Sequence, residues 1–388
     1  MLWQICKQEF YWMFRKDPRR AFYLFGSSVF YVILFGLLYS PNVVNYIPMV
    51  VYDQDQTVLS RSLVQSFADS QRYHIVDYVT SEEEVDAAIQ NKAAHAAISI
   101  PPNFARDIKK GLSSQVLVSA NGSNIAIGNA IISSAQEIIA AFSARVSQGL
   151  AENAVGLLPT PAAHYSAPVN FQLRVLNNPN LGYLNFFVLG VVMAALQEGI
   201  LLALGSSLLN DKHDMDHFSK GRPLILLIGK LLPYWLGGMI AFVCSTWLSV
   251  LLFDIPCKGN MVQLLLLGAA FTFAVTALGG LAALAFSDEV NFNRLVLIYA
   301  VPAFIYSGYT WPQQSMDMFS FLLSCTFPMT YVTSNLRSLM VSGYAPNLAS
   351  GIGILFLMGA MAFCLAGFVY HGQRMRFLQK QTNTAGAE

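Results

Sequence analysis

The chain has 388 residues, of which 55% are hydrophobic and only 12% are charged. Soluble domains usually carry about 25% charged residues, so this composition indicates a membrane protein rather than a soluble domain. The formal net charge of +1 supplies no bulk basicity for nucleic acid, and we expect no nucleic-acid partner.

The first 40 residues predict a helix in the headgroup layer followed by a membrane-spanning helix. Residues 1–20 interleave aromatic and basic side chains, which suits a helix at the cytoplasmic interface, although a frayed leader is the alternative. Residues 21–40 form an uncharged run of about the 20 residues that a span requires. Because no small-residue cleavage site follows the run, we expect it to stay in place as a signal anchor.

Residues 41–180 have a different pattern, in which short strands alternate with short helices. The segments YIPMVVYD, YHIVDYV, AHAAISI and QVLVSA predict strands, and amphipathic stretches between them predict helices. A longer helical pattern runs from Asn124 to Leu157, before a proline-containing linker leads back to the membrane. This alternation predicts a small inserted α/β domain with a mixed sheet.

Residues 181–371 are dominated by apolar runs long enough to cross a bilayer. The stretch near 312–348 is apolar but interrupted by proline and polar residues, which indicates a re-entrant hairpin covered by protein. Residues 372–388 would form a cytoplasmic tail. The predicted fold is an α-helical polytopic membrane protein with six transmembrane helices, a re-entrant hairpin and an inserted extracytoplasmic α/β domain. After the first helix, the predicted spans lie near 182–209, 223–253, 262–286, 294–311 and 349–370.

Basic residues in the short loops predict the orientation of the chain. Cytoplasmic loops carry an excess of Lys and Arg, and these residues collect on the side that holds both termini. The opposite short loops contain only Lys258 and Arg337. Both termini are therefore predicted to be cytoplasmic. Beyond the N-terminal basic residues, the cytoplasmic set is Lys212, Lys220, Arg222, Arg294, Arg374, Arg376 and Lys380.

Gln197 and Glu198 lie within the second predicted span, where hydrocarbon disfavours both side chains. At the helical rise, Glu198 is about 18 Å from the cytoplasmic boundary near Asn210. A charged side chain near mid-bilayer costs about 2.5–3.5 kcal/mol on insertion scales. Two interpretations stay open: a contact along a substrate path, including a proton-linked group, or a structural hydrogen bond or ion pair with Lys230 or Arg294.

The segment HDMDH, residues 213–217, spaces two histidines so that they can bind zinc on a helix face. Metalloproteases use H-E-x-x-H, and here Asp214 replaces that Glu, so we favour a solvated charged loop over a metal site or an intramembrane protease. Gly229 and Lys230 do not form a P-loop, because Leu224 occupies the first glycine position. We expect no catalytic residue, no metal and no cofactor bound by this chain.

Several stretches together resemble the type-2 ATP-binding-cassette (ABC) exporter permeases, and the likeness covers nearly the whole chain. They include QEFYWMFRKDP, IPMVVYDQDQTVLSRSLVQSF, NNPNLGYLNFFVLGVV, RPLILLIGKLLPY and IPCKGN. The second of these is similar to the subgroup with a large extracytoplasmic domain after the first span. The most specific is PAFIYSGYTWPQQSM, which is similar to the family pattern P-x-x-x-x-S-G-x-x-x-P-x-x-x-M, here Pro302, Ser307, Gly308, Pro312 and Met316.

The resemblance implies the permease subunit of an exporter that moves a drug, lipid or other amphiphile out of the cytoplasm or inner leaflet of a bacterial inner membrane. It implies ATP and Mg²⁺ on separate cytoplasmic ATPase subunits, a second permease copy or paralogue, and a periplasmic adaptor as a further partner. The first cytoplasmic loop would contact the ATPase. It reads NDKHDMDHFSKG, where the family commonly has E-x-E-x-G-T-x-E. Its charged and histidine residues are Asp211, Lys212, His213, Asp214, Asp216, His217, Lys220 and Arg222.

A different class of function stays open beside the exporter. A non-transporting membrane protein would use the α/β domain as an extracytoplasmic docking module and the spans only as an anchor. Six spans with an internal Glu exceed what an anchor requires, so we favour the exporter.

Overall fold

The computed structural model describes residues 2–41, 43–110, 112–155, 177–178, 182–210 and 223–385. The chain divides into two units: Val43–Arg174 is one, and Met1–Asn42 together with Val175–Glu388 is the other. The predicted ATPase-contacting loop, residues 211–222, lies outside the described residues.

Helices and strands are numbered in chain order. They are α1 (Leu2–Tyr11), α2 (Pro18–Ala21), α3 (Ser27–Tyr39), β1 (Ile47–Asp53), α4 (Val58–Ala68), β2 (Tyr73–Tyr78), α5 (Glu82–Gln90), β3 (Ala96–Ile100), α6 (Phe104–Lys109), β4 (Leu117–Ala120), α7 (Ile125–Val155), α8 (Tyr183–Asn210), α9 (Pro223–Phe253), α10 (Met261–Ala285), α11 (Glu289–Ile305), α12 (Met318–Ser324), α13 (Pro328–Arg337) and α14 (Leu348–Ala385). Shorter π-helical or 3-10 turns lie at Trp12–Lys16, Phe22–Gly26, Gln313–Ser315 and Ser338–Ser342.

The unit Val43–Arg174 is built on a four-stranded sheet with the strand order β2-β1-β3-β4. β1 pairs in parallel with β2 and with β3, while β3 and β4 are antiparallel, so the sheet is mixed. One apolar core joins the sheet to α4 and α7 through residues such as Phe67, Ile98 and Ile131. The strands and helices predicted for this segment are therefore present.

α8 is the central helix of the other unit, and most of its residues are buried. A Cβ at Gly199 would collide with the backbone oxygen of Tyr23 and with Ser27 Oγ. The Ser27 hydroxyl lies 3.0 Å from the carbonyl oxygen of Ala195, which fixes α3 against α8. Small residues on α8 therefore allow the close helix packing that is typical of membrane bundles.

Six helices among the described residues are long and apolar enough to cross a membrane, and five of them coincide with predicted spans. The sixth, Ile125–Gly149, belongs to the unit with the sheet, where Ile131, Ala135 and Phe142 are buried in its core. α11 was predicted as a span, but with 17 residues it is shorter than any of the six.

The end of one predicted span differs from the end of its helix. α11 ends at Ile305 rather than near 311, because the Ser307 hydroxyl donates to the Phe304 carbonyl oxygen at 2.6 Å and Gly308 turns the chain with a φ of +80°. The last helix covers the span predicted near 349–370 and continues to Ala385, into the segment predicted as the cytoplasmic tail. Residues 373–382 contain neither proline nor glycine, so nothing in that segment breaks the helix.

Two short helices, α12 and α13, occupy the segment predicted as a re-entrant hairpin. The Asp317 carboxylate caps α12 by accepting hydrogen bonds from the backbone amides of Phe319 at 3.0 Å and Ser320 at 3.3 Å. α13 begins at Pro328, a residue suited to the first position of a helix because its missing N–H has no partner to lose there.

Candidate functional site

A buried set of charged and polar side chains joins the N-terminal segment to α8 and α9. Glu9, on α1, is 2% exposed. It accepts hydrogen bonds from Lys230 Nζ at 2.7 Å and from the Ser207 hydroxyl at 2.9 Å. One carboxylate thus ties α1 to both helices. We call this set the ionic cluster; its members are Glu9, Asp17, Arg20, Ser206, Ser207 and Lys230.

Arg20 provides the second link in the cluster. Its Nη2 donates to the Ser206 carbonyl oxygen at 3.1 Å, and its Nη1 lies 4.0 Å from Glu9 Oε2. Its Nε lies 3.3 Å from Asp17 Oδ2, an oxygen that also accepts from Ser206 Oγ at 3.1 Å. Burial by itself would raise the pKa of Asp17, but the hydrogen bonds from Arg19 and Ser206 and the charges of Arg19 and Arg20 lower it. Asp17 therefore stays ionised at neutral pH.

Contacts around the ionic cluster hold α1 closely against α9. A Cβ at Gly229 would lie 2.8 Å from Ile5 Cγ2, so a larger residue there would push α1 away. Cys6 Sγ lies 3.5 Å from the carbonyl oxygen of Gly229. Lys230 Nζ is 5.6 Å from the centroid of the Trp12 ring, within the range of a cation–π interaction.

The ionic cluster is stable only as a complete set. Taking a charge out of water costs several kcal/mol, which close pairing and further hydrogen bonds offset. Here the anions Glu9 and Asp17 face the cations Arg20 and Lys230, so the charges balance. Removal of one charged member would leave an uncompensated charge in a low-dielectric site. The arrangement therefore resists separation of α1 from α8 and α9.

The ionic cluster also lies near the two helix ends between which the chain runs through residues 211–222, the segment that the sequence predicts to contact an ATPase. Ser206 and Ser207 are in the last turn of α8, which ends at Asn210. Lys230 follows Pro223, the first residue of α9, by about 10 Å of helical rise. The loop's own predicted contact residues, Asp211 to Arg222, lie outside the described residues, so their role stays a prediction.

Sequence reasoning missed the ionic cluster. The pairing of Glu198 with Lys230 or Arg294, one of the two interpretations left open, is not found: Lys230 donates to Glu9, and Arg294 donates to Asn291 Oδ1 at 3.2 Å. Glu198 makes no hydrogen bond or ion pair with another described residue. One signal was available. A lysine within an apolar run needs an anionic partner, and the predicted orientation places Glu9 on the same side of the membrane.

Gln197 and Glu198 lie in different surroundings. Gln197 is 1% exposed and lines a cavity of about 200 Å³ between α8, α10 and α11. Neither its amide oxygen nor its amide nitrogen has a hydrogen-bond partner within the described part of the chain. Glu198 is partly buried and does not line this cavity. The two residues predicted together are therefore separated by the geometry of the helix.

The motif from Pro302 to Met316 forms the turn that leads from α11 into the short helices. Tyr309, in the middle of this turn, is 2% exposed and stacks on Phe186 of α8 with ring centroids 5.7 Å apart. Arg337 Cζ, at the end of α13, lies 4.5 Å from the centroid of the Tyr309 ring. The motif thus positions an aromatic residue that joins α8 to α13.

Acidic and histidine side chains elsewhere in the described residues form no evident metal site. No group of three or more His, Cys, Asp or Glu side chains among them could hold a metal ion. The carboxylates of Asp53 and Asp55 accept hydrogen bonds from the backbone amides of Gln56 and Ala105, each at 3.0 Å. The HDMDH segment lies outside the described residues, so the choice between a solvated loop and a zinc site stays a prediction.

The sequence profile of the ABC-2 family transporter proteins matches residues 20–368, which is most of the chain. The chain belongs to the ABC-2 transporter family. The match begins at Arg20, a member of the ionic cluster, and runs through α8 and α9 into the last helix. ABC-2 permeases work with separate ATP-binding subunits in ABC transporters.

Relatives in Escherichia coli K12 agree with this family. The inner membrane transport permease YhhJ is 25% identical over 321 residues, 78% of this chain and 79% of YhhJ. The probable multidrug ABC transporter permease YbhR is 21% identical over 339 residues, 86% of this chain and 87% of YbhR. A third, the probable multidrug ABC transporter permease YbhS, is 26% identical over 136 residues, 35% of this chain and 36% of YbhS. The chain is thus a transmembrane permease subunit, a multi-pass protein of the inner membrane with about six apolar helices.

Proposed function

We propose that this permease is the transmembrane half of an ATP-driven exporter that moves a drug, lipid or other amphiphile out of the cytoplasm or inner leaflet. ATP and Mg²⁺ bind to the partner ATPase and not to this chain. The observation that carries the proposal is the ionic cluster, because it ties α1 to α8 and α9 at the two helix ends that enclose residues 211–222.

In the proposed mechanism, closure of the ATPase pushes on the loop 211–222, with Asp214 as a contact residue, and on α1. Because Glu9 bonds to both Ser207 and Lys230, a displacement of the loop moves α8, α9 and α1 together. Buried hydrogen-bonded ionic networks make a structure rigid. The ends of α1, α8 and α9 would therefore keep their relative positions while the loop is displaced. Rotation of α8 and α9 then opens a path at the contact with a second permease copy or paralogue.

The proposal places both termini and the ionic cluster in or at the cytoplasm, and the unit Val43–Arg174 outside it. This unit would shape the exit of the path or bind a periplasmic adaptor. Support comes from the distribution of basic residues, which leaves Lys258 and Arg337 as the only ones in the opposite short loops. The segment near 312–348, between α11 and α14, would then form a re-entrant hairpin at the outer face.

Purification of the intact complex from native membranes tests the partnership. We expect an ATP-binding subunit to co-purify in equal amount with the permease and to hydrolyse ATP only with Mg²⁺ present. The substitution Asp214→Lys in the loop is expected to weaken the association, while Glu83→Lys, in the separate unit Val43–Arg174, serves as the matched control. A permease that purifies without any ATPase would instead favour the non-transporting docking protein.

Cysteine labelling tests the orientation. Cys257, between α9 and α10, is exposed and predicted to be extracytoplasmic, whereas Cys6 is buried on the cytoplasmic α1. Burial raises the pKa of the Cys6 thiol, which lowers its reactivity further. Cys325 lies in the proposed outer hairpin and is half-buried, so the test uses a Cys325→Ser background. In that background, a membrane-impermeant maleimide applied to cells with a permeabilised outer membrane should label the protein but not its Cys257→Ser derivative. Labelling of Cys257 only after the inner membrane is opened would reverse the proposed orientation.

A further inference from the structure

The cavity beside Gln197 has walls that suit an uncharged guest. α8, α10 and α11 each contribute one face to it, with Leu201 one helical turn from Gln197, and all the described lining residues are uncharged. Besides Gln197, only Tyr299 and Thr326 bring polar side-chain atoms to the walls. The Thr326 hydroxyl already donates to the carbonyl oxygen of Leu323 at 2.7 Å. The cavity is therefore mainly apolar, with few hydrogen-bonding groups.

The amide of Gln197 is the feature that packing does not explain. A buried polar group without a partner costs about 1–3 kcal/mol, and the large majority of such groups in proteins are hydrogen-bonded. Several other buried side chains of this bundle, Thr276 among them, also lack a partner among the described residues, but of these only Gln197 lines the cavity. A leucine in place of Gln197 would fill the same space without that cost. The amide therefore points to a guest that supplies the missing hydrogen bonds.

We propose that this cavity binds an uncharged molecule with a compact apolar body and one amide or hydroxyl group. Either group has a donor and an acceptor, so it can pair with both Oε1 and Nε2 of Gln197. An engineered apolar cavity of about 150 Å³ holds benzene, so the 200 Å³ here admits one ring with a small substituent. A charged molecule is disfavoured because its burial without a counter-ion costs far more than hydrogen bonds return.

This inference rests on the proposed function, in which the bound molecule is cargo on its way through the permease. It narrows the cargo from amphiphiles in general to uncharged ones, and it assigns Gln197 rather than Glu198 as the contact residue. The ionic cluster takes no part in the binding, since none of its members lines the cavity.

The test is photolabelling of the purified full-length permease in lipid nanodiscs with a diazirine derivative of benzamide. The matching derivative of benzoate serves as the charged control. Mapping of the labelled peptides is expected to place the adducts on α8, α10 and α11. Competition by unlabelled benzamide should weaken about tenfold in Gln197→Leu, as expected for the loss of two hydrogen bonds. Benzoate should neither label these helices nor compete.

Two further variants serve as controls: one leaves the cavity unchanged and the other fills it. Thr276→Val removes another buried hydroxyl without a partner in the described residues, one that does not line the cavity, and should bind benzamide like wild type. Ala282→Phe fills the cavity and should abolish labelling, which decides the matter if Gln197→Leu does not fold. Adducts on other helices, equal labelling by benzoate, or full binding by Gln197→Leu or Ala282→Phe would overturn the inference. The assay contains no ATPase, so these results leave the co-purification test of the proposed function independent.

Discussion

Two buried polar sites lie on the same helix, about 14 Å apart along α8, and they differ in how their polar groups are satisfied. At the end of α8, Ser206 and Ser207 belong to the ionic cluster, in which every charge faces an opposite charge. Near the middle, the Gln197 amide has no partner in the described part of the chain. Balanced opposite charges indicate a joint between elements, whereas an uncharged amide without a partner beside a cavity indicates a site for a bound molecule.

The two sites should therefore respond in opposite ways to apolar substitution. The largest effect is expected for Glu9→Leu, which removes the carboxylate between Lys230 and Arg20. Breaking a buried ion pair from one side should lower the free energy of unfolding by about 3–5 kcal/mol, measured by denaturation of the purified permease in detergent. The double variant with Lys230→Met should recover most of that loss, because an apolar pair can replace a buried ion pair at little cost. Equal stability of the single variant and wild type would contradict the claim that the buried ion pairs of Glu9 stabilise the fold.

A second prediction concerns the packing of α3 against α8 at Gly199, which lies between the two sites. Gly199→Ala would bring a Cβ against the backbone of Tyr23, so we expect a loss of about 1–3 kcal/mol in the free energy of unfolding. Gly353→Ala is the matched control, because nothing lies within 4 Å of a Cβ at that position on α14. The control should be neutral or slightly stabilising, as alanine is the better helix former. Equal effects of the two substitutions would mean that α3 and α8 are not closely packed.

Gln197→Leu is the direct counterpart of Glu9→Leu. Because the amide has no partner to lose and leucine avoids the cost of burying it, the free energy of unfolding should be unchanged or higher by up to about 3 kcal/mol. The same denaturation measurement decides the comparison. A loss of stability as large as that of Glu9→Leu would show that Gln197 has a structural partner. The two sites would then not differ in what they contribute to stability.

The smallest effect is expected for Arg19→Gln. Arg19 pairs with Asp17 at 2.9 Å, but its side chain is 64% exposed. Exposed ion pairs contribute about 0–1 kcal/mol, so the thermal unfolding temperature should barely change. A large loss would mean that the ionic cluster extends to the surface and that Arg19 belongs to it.

Apolar runs predicted most of the membrane helices, because a helix that crosses the hydrocarbon layer needs about 20 consecutive apolar residues with few charges. The same criterion fails for Ile125–Gly149, which meets it in length and composition but has Ile131 and Phe142 in the core of the sheet. It also misplaces the end of α11, where Ser307 and Gly308 turn the chain although the residues around them are apolar. Apolar composition does not distinguish lipid contact from a protein core.

The candidate site was harder to predict because its members are far apart in the chain. Glu9 and Lys230 are brought together only by the packing of α1 on α9, which depends on Gly229 and Ile5. Glu198 stood out in the sequence because its charge lies in an apolar run, while its neighbour Gln197 lines the cavity. A helix places adjacent residues about 100° apart around its axis, so a pair of polar residues in sequence is rarely a pair in space.

The most direct test of the coupling role is the transport of cargo per ATP hydrolysed. The double variant Glu9→Leu with Lys230→Met would be reconstituted with its ATPase in inside-out vesicles, beside wild type and the exposed control Arg19→Gln. If the ionic cluster transmits motion from the ATPase, the double variant should hydrolyse ATP near the wild-type rate but transport about tenfold less cargo per ATP, a typical size for a coupling free energy. Wild-type transport per ATP in this folded double variant would contradict the account, since the ionic cluster would then serve stability alone.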